Sequence, residues 1–186
     1  MKKQFKIFVV VSALIGVISG CSLTIDGDIY KQQAPKFDLV EFFDGNVTAW
    51  GIVQNRSGEV VQRFIVDIDG SFEDGVLVLD ETFEYIVGEG VTKRVWRLTQ
   101  NTDGSFTGSA GDIAGQATGT AHGNAFNFVY EMDIKVDGTS YRVAFDDWFF
   151  ALDDSTLMNR SYIKKFGIVM ADVTIFMQRQ PALDKP

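Results

Sequence analysis

Between Phe37 and Gln180 the chain has no proline; all three, Pro35, Pro181 and Pro186, lie outside that stretch. Proline cannot donate to a β-ladder and is excluded from central strands. A proline-free run of this length is open to one continuous sheet, or equally to helices, and the hydrophobic period decides between them. Val60, Gln62, Phe64, Val66 and Ile68 alternate with Val61, Arg63, Ile65, Asp67 and Asp69. Asn124, Phe126, Phe128, Tyr130, Met132 and Ile134 do the same, as do Val169, Ala171, Val173, Ile175 and Met177. The period is two, the mark of strands with one apolar face. Turn formers such as Asp74-Gly75, Gly88-Glu89-Gly90, Asp103-Gly104 and Asp137-Gly138 separate them. Strands are expected near 37–43, 46–54, 60–72, 76–86, 91–100, 104–110, 114–121, 124–135, 140–152 and 165–179, with 156–164 as an additional one.

Short connections make consecutive strands antiparallel neighbours. An open meander of that length leaves two hydrogen-bonding edges exposed, and closure removes them. The expected fold is therefore all-β: an up-and-down antiparallel meander closing into a lipocalin-like (calycin-type) barrel of about 8–10 strands, wide enough for side chains and one small ligand. A two-sheet β-sandwich is the alternative. With 16 phenylalanines and one cysteine, apolar burial rather than a disulfide must hold the fold.

The N-terminus carries Lys2, Lys3 and Lys6, an apolar run Ile7–Ile18, and then Ser19-Gly20-Cys21. A charged start, a short apolar stretch and a small-residue exit mark a secretory signal that lies outside the fold. The run falls short of the roughly 20 residues of a spanning helix. The segment resembles the signal peptide and lipobox of a bacterial lipoprotein. That resemblance implies cleavage before Cys21 and a diacylglyceryl group, with an N-acyl lipid, on that residue. Stable anchoring needs two hydrophobic signals, each buried CH₂ contributing about 0.8 kcal/mol, and a diacylglyceryl group brings both. Ser22 rather than Asp after the cysteine resembles an outer-membrane address facing the periplasm, with the inner membrane as the lesser alternative. The expected division is signal peptide 1–20, lipidated tether 21–36, a single barrel domain 37–180 and a disordered tail 181–186.

A formal net charge of −8, more acidic still without the three signal lysines, argues against a nucleic-acid partner, which needs a basic face. The expected partners are the membrane, through the lipid, and a small apolar ligand or an envelope protein.

The densest polar-aromatic segment is Tyr141–Phe150. Alternation puts Asp147 on one face with Tyr141, Phe145 and Phe149, and Asp146 on the other with Trp148 and Phe150. A carboxylate among rings needs a partner, and Asn159, Arg160, Arg63, Arg94 and Arg97 are candidates. Arg94 shares an apolar face with Trp96 and Leu98, where it either pairs inside with a protein acid or binds an anionic head group. The ligand-binding candidates are Arg63, Arg94, Trp96, Asp146, Asp147, Trp148, Asn159 and Arg160. His122, the only histidine, falls at a turn and reads as exposed. One histidine and one acylated cysteine cannot assemble the usual zinc sites, and no Gly-x-Ser-x-Gly elbow occurs. No metal, cofactor or catalytic residue is expected. An enzyme using Asp146 or Asp147 with Arg160 is the weakest of three readings, after a ligand-binding barrel and a filled-barrel interaction module of the outer membrane.

Several segments together resemble an uncharacterised family of proteobacterial lipoproteins, the domain-of-unknown-function 3833 family. They are Phe37–Gly45, Ala49-Trp50-Gly51, Arg63–Asp67, Arg94-Val95-Trp96, Gly123-Asn124-Ala125, Phe145–Trp148, Asn159-Arg160, Lys165-Phe166-Gly167 and Val173-Thr174. Asn55-Arg56 departs from the pattern, where an Asp-Arg pair is typical. The resemblance implies location and architecture and carries no catalytic residues.

Overall fold

The computed structural model describes residues 24–181. Residues 1–23, which contain the expected signal peptide and Cys21, and residues 182–186 lie outside the described residues. Ten antiparallel strands close into one barrel, each bonded to its sequence neighbours and β1 to β10. They are β1 Gly45–Asn55, β2 Val60–Glu73, β3 Val76–Val87, β4 Lys93–Gln100, β5 Phe106–Ser109, β6 Ile113–His122, β7 Ala125–Val136, β8 Thr139–Ala151, β9 Thr156–Lys165 and β10 Ile168–Arg179. The lipocalin-like barrel expected from the period-two pattern is the fold, and the sandwich is not.

The alternating faces fall as the pattern dictates. Phe64, Val66 and Ile68 of β2, Phe126, Phe128 and Tyr130 of β7, and Val173 and Met177 of β10 are buried inside. Small residues make room for the rings. A Cβ on Gly119 would lie 2.3 Å from the Phe126 ring, and one on Gly108 would lie 2.8 Å from the Phe128 ring. Gly108 and Gly119 therefore serve ring packing.

Two segments differ from the sequence expectation. The stretch 156–164, placed as an additional strand, is a full wall strand, β9. The stretch 37–43, expected as a strand, is instead a one-turn helix, α1 Leu39–Phe43. Asp38 caps it, accepting from the Glu41 backbone N–H at 3.0 Å, which is the N-cap chemistry of a short polar side chain. Leu39, Phe42 and Phe43 then fall on one helical face and are all buried. Phe37 meets the Phe126 ring at 6.1 Å and Phe42 at 5.9 Å. Helix α1 thus plugs the barrel end formed by the start of β1 and the end of β2. Gly70 admits the plug, since a Cβ there would lie 1.6 Å from the Phe43 carbonyl oxygen.

Residues 24–36, expected as a tether, lie folded on the outside of the same closed end. A 3₁₀ turn spans Gly27–Tyr30. Tyr30 packs on Trp148 at 5.9 Å and on Phe150 at 5.2 Å. His122 is not the exposed turn residue expected. It is half-buried and stacked on Trp148 at 5.7 Å, and Gly27 lies so close that a Cβ would stand 2.5 Å from the ring. The Phe37 N–H closes the strap by donating to the Gly123 carbonyl at 2.8 Å.

Candidate functional site

The two ends of the barrel differ. At the plugged end the lumen is filled by its own rings: Phe126 lies 5.6 Å from Phe106, 6.1 Å from Phe128 and 6.2 Å from Phe149. At the other end, inward residues keep solvent contact. Val53, Phe83, Tyr85, Ile134, Ala171 and Ile175 are only partly buried. Together they form the apolar part of the lumen opposite the plug, called the cup below.

The floor of this cup is polar. Glu81 on β3, Arg94 on β4, Tyr130 on β7, Asp147 on β8 and Ser161 on β9 all continue inward-facing rows. Strands β3 and β8 are diametrically opposed in the ten-strand ring, so Glu81 and Asp147 face each other across the lumen. Arg94 stands directly opposite Glu81 in the β3–β4 ladder. Its guanidinium makes a two-point bridge to Asp112, which lies in the β5–β6 turn. Arg94 Nε donates to Oδ1 at 3.1 Å and to Oδ2 at 3.0 Å, and Nη2 donates to Oδ2 at 2.7 Å. The guanidinium also lies 5.8 Å from the Phe83 ring centroid and 5.7 Å from that of Trp96, within cation–π range.

These settings shift the acids. Burial pushes the Asp147 carboxyl up to about 7, against hydrogen bonds from Ser161 and Tyr130 and the charge of Arg94. Burial likewise pushes Glu81 up to about 7, with Arg94 opposing and Asp112 and Asp147 reinforcing. Glu81 keeps some exposed surface, but its enclosure by packed wall atoms outweighs that contact, because the charged form still loses most of its hydration. Arg94 is disfavoured by burial, yet its bond to Asp112 and the nearby acids hold it firmly charged.

The sequence candidates divide by face. Arg94, Trp96, Asp147 and Asn159 point inward. Asn159 is 1% exposed and donates to the Trp148 carbonyl at 3.4 Å. Arg63, Asp146, Trp148 and Arg160 belong to the outer face. Asp146 accepts from Lys164 Nζ at 2.6 Å and from Asn127 Nδ2 at 2.8 Å. Arg160 bridges to Asp172 at 3.1 Å, and Trp148 lies beneath the N-terminal strap. Asp147 and Arg160 therefore stand on opposite faces of the wall, and Asp146 pairs with Lys164.

Glu81, Asp112, Tyr130 and Ser161 were not candidates in the sequence. Glu81 had a signal: Leu77, Leu79, Glu81, Phe83 and Tyr85 form one alternating row, and a carboxylate on its apolar face marks a lumen group. Asp112 had none, because its pairing depends on the β4–β5–β6 register.

Two surface recesses, of about 380 Å³ beside Asp154, Gln178 and Arg179 and about 40 Å³ beside Phe37 and Phe42, lie at the plugged end. Neither is lined by Glu81, Arg94, Tyr130 or Asp147.

The curated proteins contain no significant match to the chain. Among solved structures, an S-type phycobiliprotein lyase, CPES from Guillardia theta, is similar with a TM-score of 0.55 at 13% identity, covering 86% of this chain and 100% of that one. At that identity the likeness shows the barrel fold alone. The model of the family described as "Protein of unknown function (DUF3833)" matches residues 15–179, nearly the whole chain and every strand described above, so this chain belongs to the DUF3833 family.

Proposed function

We propose that this protein is a lipid-anchored envelope protein whose barrel takes a small amphipathic ligand into the mouth cup. The observation that carries the reading is a charged belt beneath partly exposed inward-facing apolar side chains, in a barrel whose other end is plugged. An apolar wall with a few convergent polar groups is the usual make-up of a small-molecule site. Because rings fill the plugged half, the ligand occupies the upper lumen only, its tail against Phe83, Ile134 and Ala171 and its head toward the belt. The barrel of the phycobiliprotein lyase supports the architecture and says nothing of the ligand.

The neutral fluorophore N-phenyl-1-naphthylamine tests the cup. It is expected to brighten on addition of the protein, and Ala171→Trp, which fills the mouth, is expected to weaken binding about tenfold with the circular-dichroism spectrum unchanged. No brightening, or equal brightening with Ala171→Trp, would refute the cup. It would favour a filled-barrel interaction module, whose own support is the β9–β10 hairpin tip, with Phe166 92% exposed and Ile168 and Met170 beside it.

The anchor belongs to the same proposal. Gly27 is fixed at the plugged end, and six residue steps, with five residues between, separate it from Cys21. At about 3.3–3.6 Å per extended residue they span roughly 20 Å, so a lipid on Cys21 would hold the plugged end near the bilayer and leave the mouth facing away. With Cys21→Ser, the protein is expected to leave the membrane fraction and lose palmitate labelling. Retention of label would place the lipid elsewhere.

A further inference from the structure

We propose that the β9–β10 hairpin tip, led by Phe166, inserts into a lipid bilayer that carries anionic head groups. The inference makes no use of the cup and stands whether or not the cup holds a molecule.

Three hairpins of this chain turn on the same two-residue backbone. Asp74-Gly75 joins β2 to β3, Asp137-Gly138 joins β7 to β8, and Phe166-Gly167 joins β9 to β10. The first residues have φ of 52°, 49° and 51°, and the glycines 79°, 79° and 77°. Such a turn needs the left-handed region at both positions, which Asp tolerates and a bulky side chain resists. Two of the three turns follow that rule. The third carries a phenylalanine that is 92% exposed. The neighbour of its ring is the Lys165 ammonium, 5.0 Å from the centroid. The ring strains the turn and gives the core nothing, so its use lies outside the chain.

The surroundings of the ring point to lipid. Ile168 and Met170 follow it on β10, and Val136 and Tyr141 belong to the neighbouring β7–β8 hairpin; all four are exposed. Hairpin ends project rather than enclose, and the two recesses described above both lie at the other end of the barrel. A fluid bilayer closes around a projecting apolar tip, whereas a protein partner has to be shaped to it.

The charges agree. At these two tips Arg142 is paired with Asp133 and Lys164 with Asp146. Lys135 and Lys165 then stand against the single carboxylate of Asp137. Lys165 lies 5.1 Å from the Tyr141 ring centroid and donates to the Arg142 carbonyl at 3.3 Å, so its ammonium sits among the exposed rings. A lysine stem beside apolar groups, with its ammonium at head-group level, is the usual interfacial arrangement. Asp28, Asp38, Glu41, Asp44, Glu73 and Asp153 crowd the plugged end instead, so of the two ends the mouth is the one an anionic surface can approach. With the plugged end held at one bilayer by the proposed anchor, the tip meets a second.

The test is flotation of the chain without its lipid, residues 22–186, on phosphatidylcholine vesicles with or without a quarter of phosphatidylglycerol. That chain holds the whole closed barrel, and any association comes from the protein itself. It is expected to float with the anionic vesicles at millimolar lipid and about fivefold less with the neutral ones. Phe166→Asp restores the turn residue of the other two hairpins. Its urea midpoint is expected to equal or exceed that of the unsubstituted chain, while its association falls about tenfold. Lys165→Gln is expected to lose part of the preference for anionic vesicles. No flotation of the unsubstituted chain, or undiminished flotation of Phe166→Asp, would overturn the proposal. A lowered midpoint for Phe166→Asp would do so too, since the ring would then belong to the fold. Failure of the fluorophore to enter the cup would leave this assignment untouched.

Discussion

Replacing Asp147 with Asn is expected to stabilise the protein at pH 8 by about 2 kcal/mol, although Asp147 is only 9% exposed and hydrogen-bonded. The cause is the cost of ionising a carboxyl at the floor of the lumen. Its folded pKa is raised to about 7 from an ordinary 3.8, so between roughly pH 4 and pH 7 the folded state holds a proton that the unfolded state has lost. Stability in that window falls as pH rises, and above pH 7 the whole penalty is present. Glu81 contributes in the same direction. Asparagine keeps the shape and the exchange with Ser161 but never ionises. Urea unfolding should therefore give nearly equal stabilities for the two proteins at pH 4.5 and a clear advantage for the variant at pH 8. A variant less stable at pH 8 would mean that the ionised carboxylate is well paired, and the account of the belt would be wrong.

Phe126→Ala is expected to cost about 3–5 kcal/mol, the range for deleting a buried phenylalanine ring. Phe126 is 1% exposed, and its ring joins the plug through Phe37 to Phe106, Phe128 and Phe149. The cavity would not collapse easily, because Gly119 was kept bare to admit that ring and the closed wall cannot move inward on one side alone. The midpoint of urea unfolding should fall well below that of the native chain. Ile134→Ala at the open cup should cost far less, since its side chain already meets solvent. Equal losses at the two positions would mean that the lumen is packed alike at both ends.

How far the sequence carries this account follows from the range of each signal. The barrel was legible because most of the long wall strands, such as β2, β7 and β10, repeat a local alternation. Which carboxylate of Asp146-Asp147 faces inward was not, because both faces of β8 carry rings: one set faces the lumen, and the other lies under Tyr30 and His122. The strap over Trp148 hid the outer face as effectively as a core. Helix α1 was misread although its signals were present, with Asp38 at the cap position and Leu39, Phe42 and Phe43 at helical spacing. Five helical residues are too few for a period to outweigh the neighbouring strands. Glu81 could have been found as the one charge on an apolar row, as Arg94 was. The Arg94–Asp112 bridge needed the register of three strands, which no local window contains. The family pattern, in turn, carried architecture but no chemistry.

The central claim is that the mouth cup holds a ligand. Native mass spectrometry of the protein extracted gently from its own membranes tests it most directly. The account predicts a noncovalent small molecule, beyond the mass of the chain and its covalent lipid, that is absent from Ala171→Trp prepared in the same way. Bare, lipid-modified chain for both proteins, under conditions where other envelope carriers keep their ligands, would contradict it.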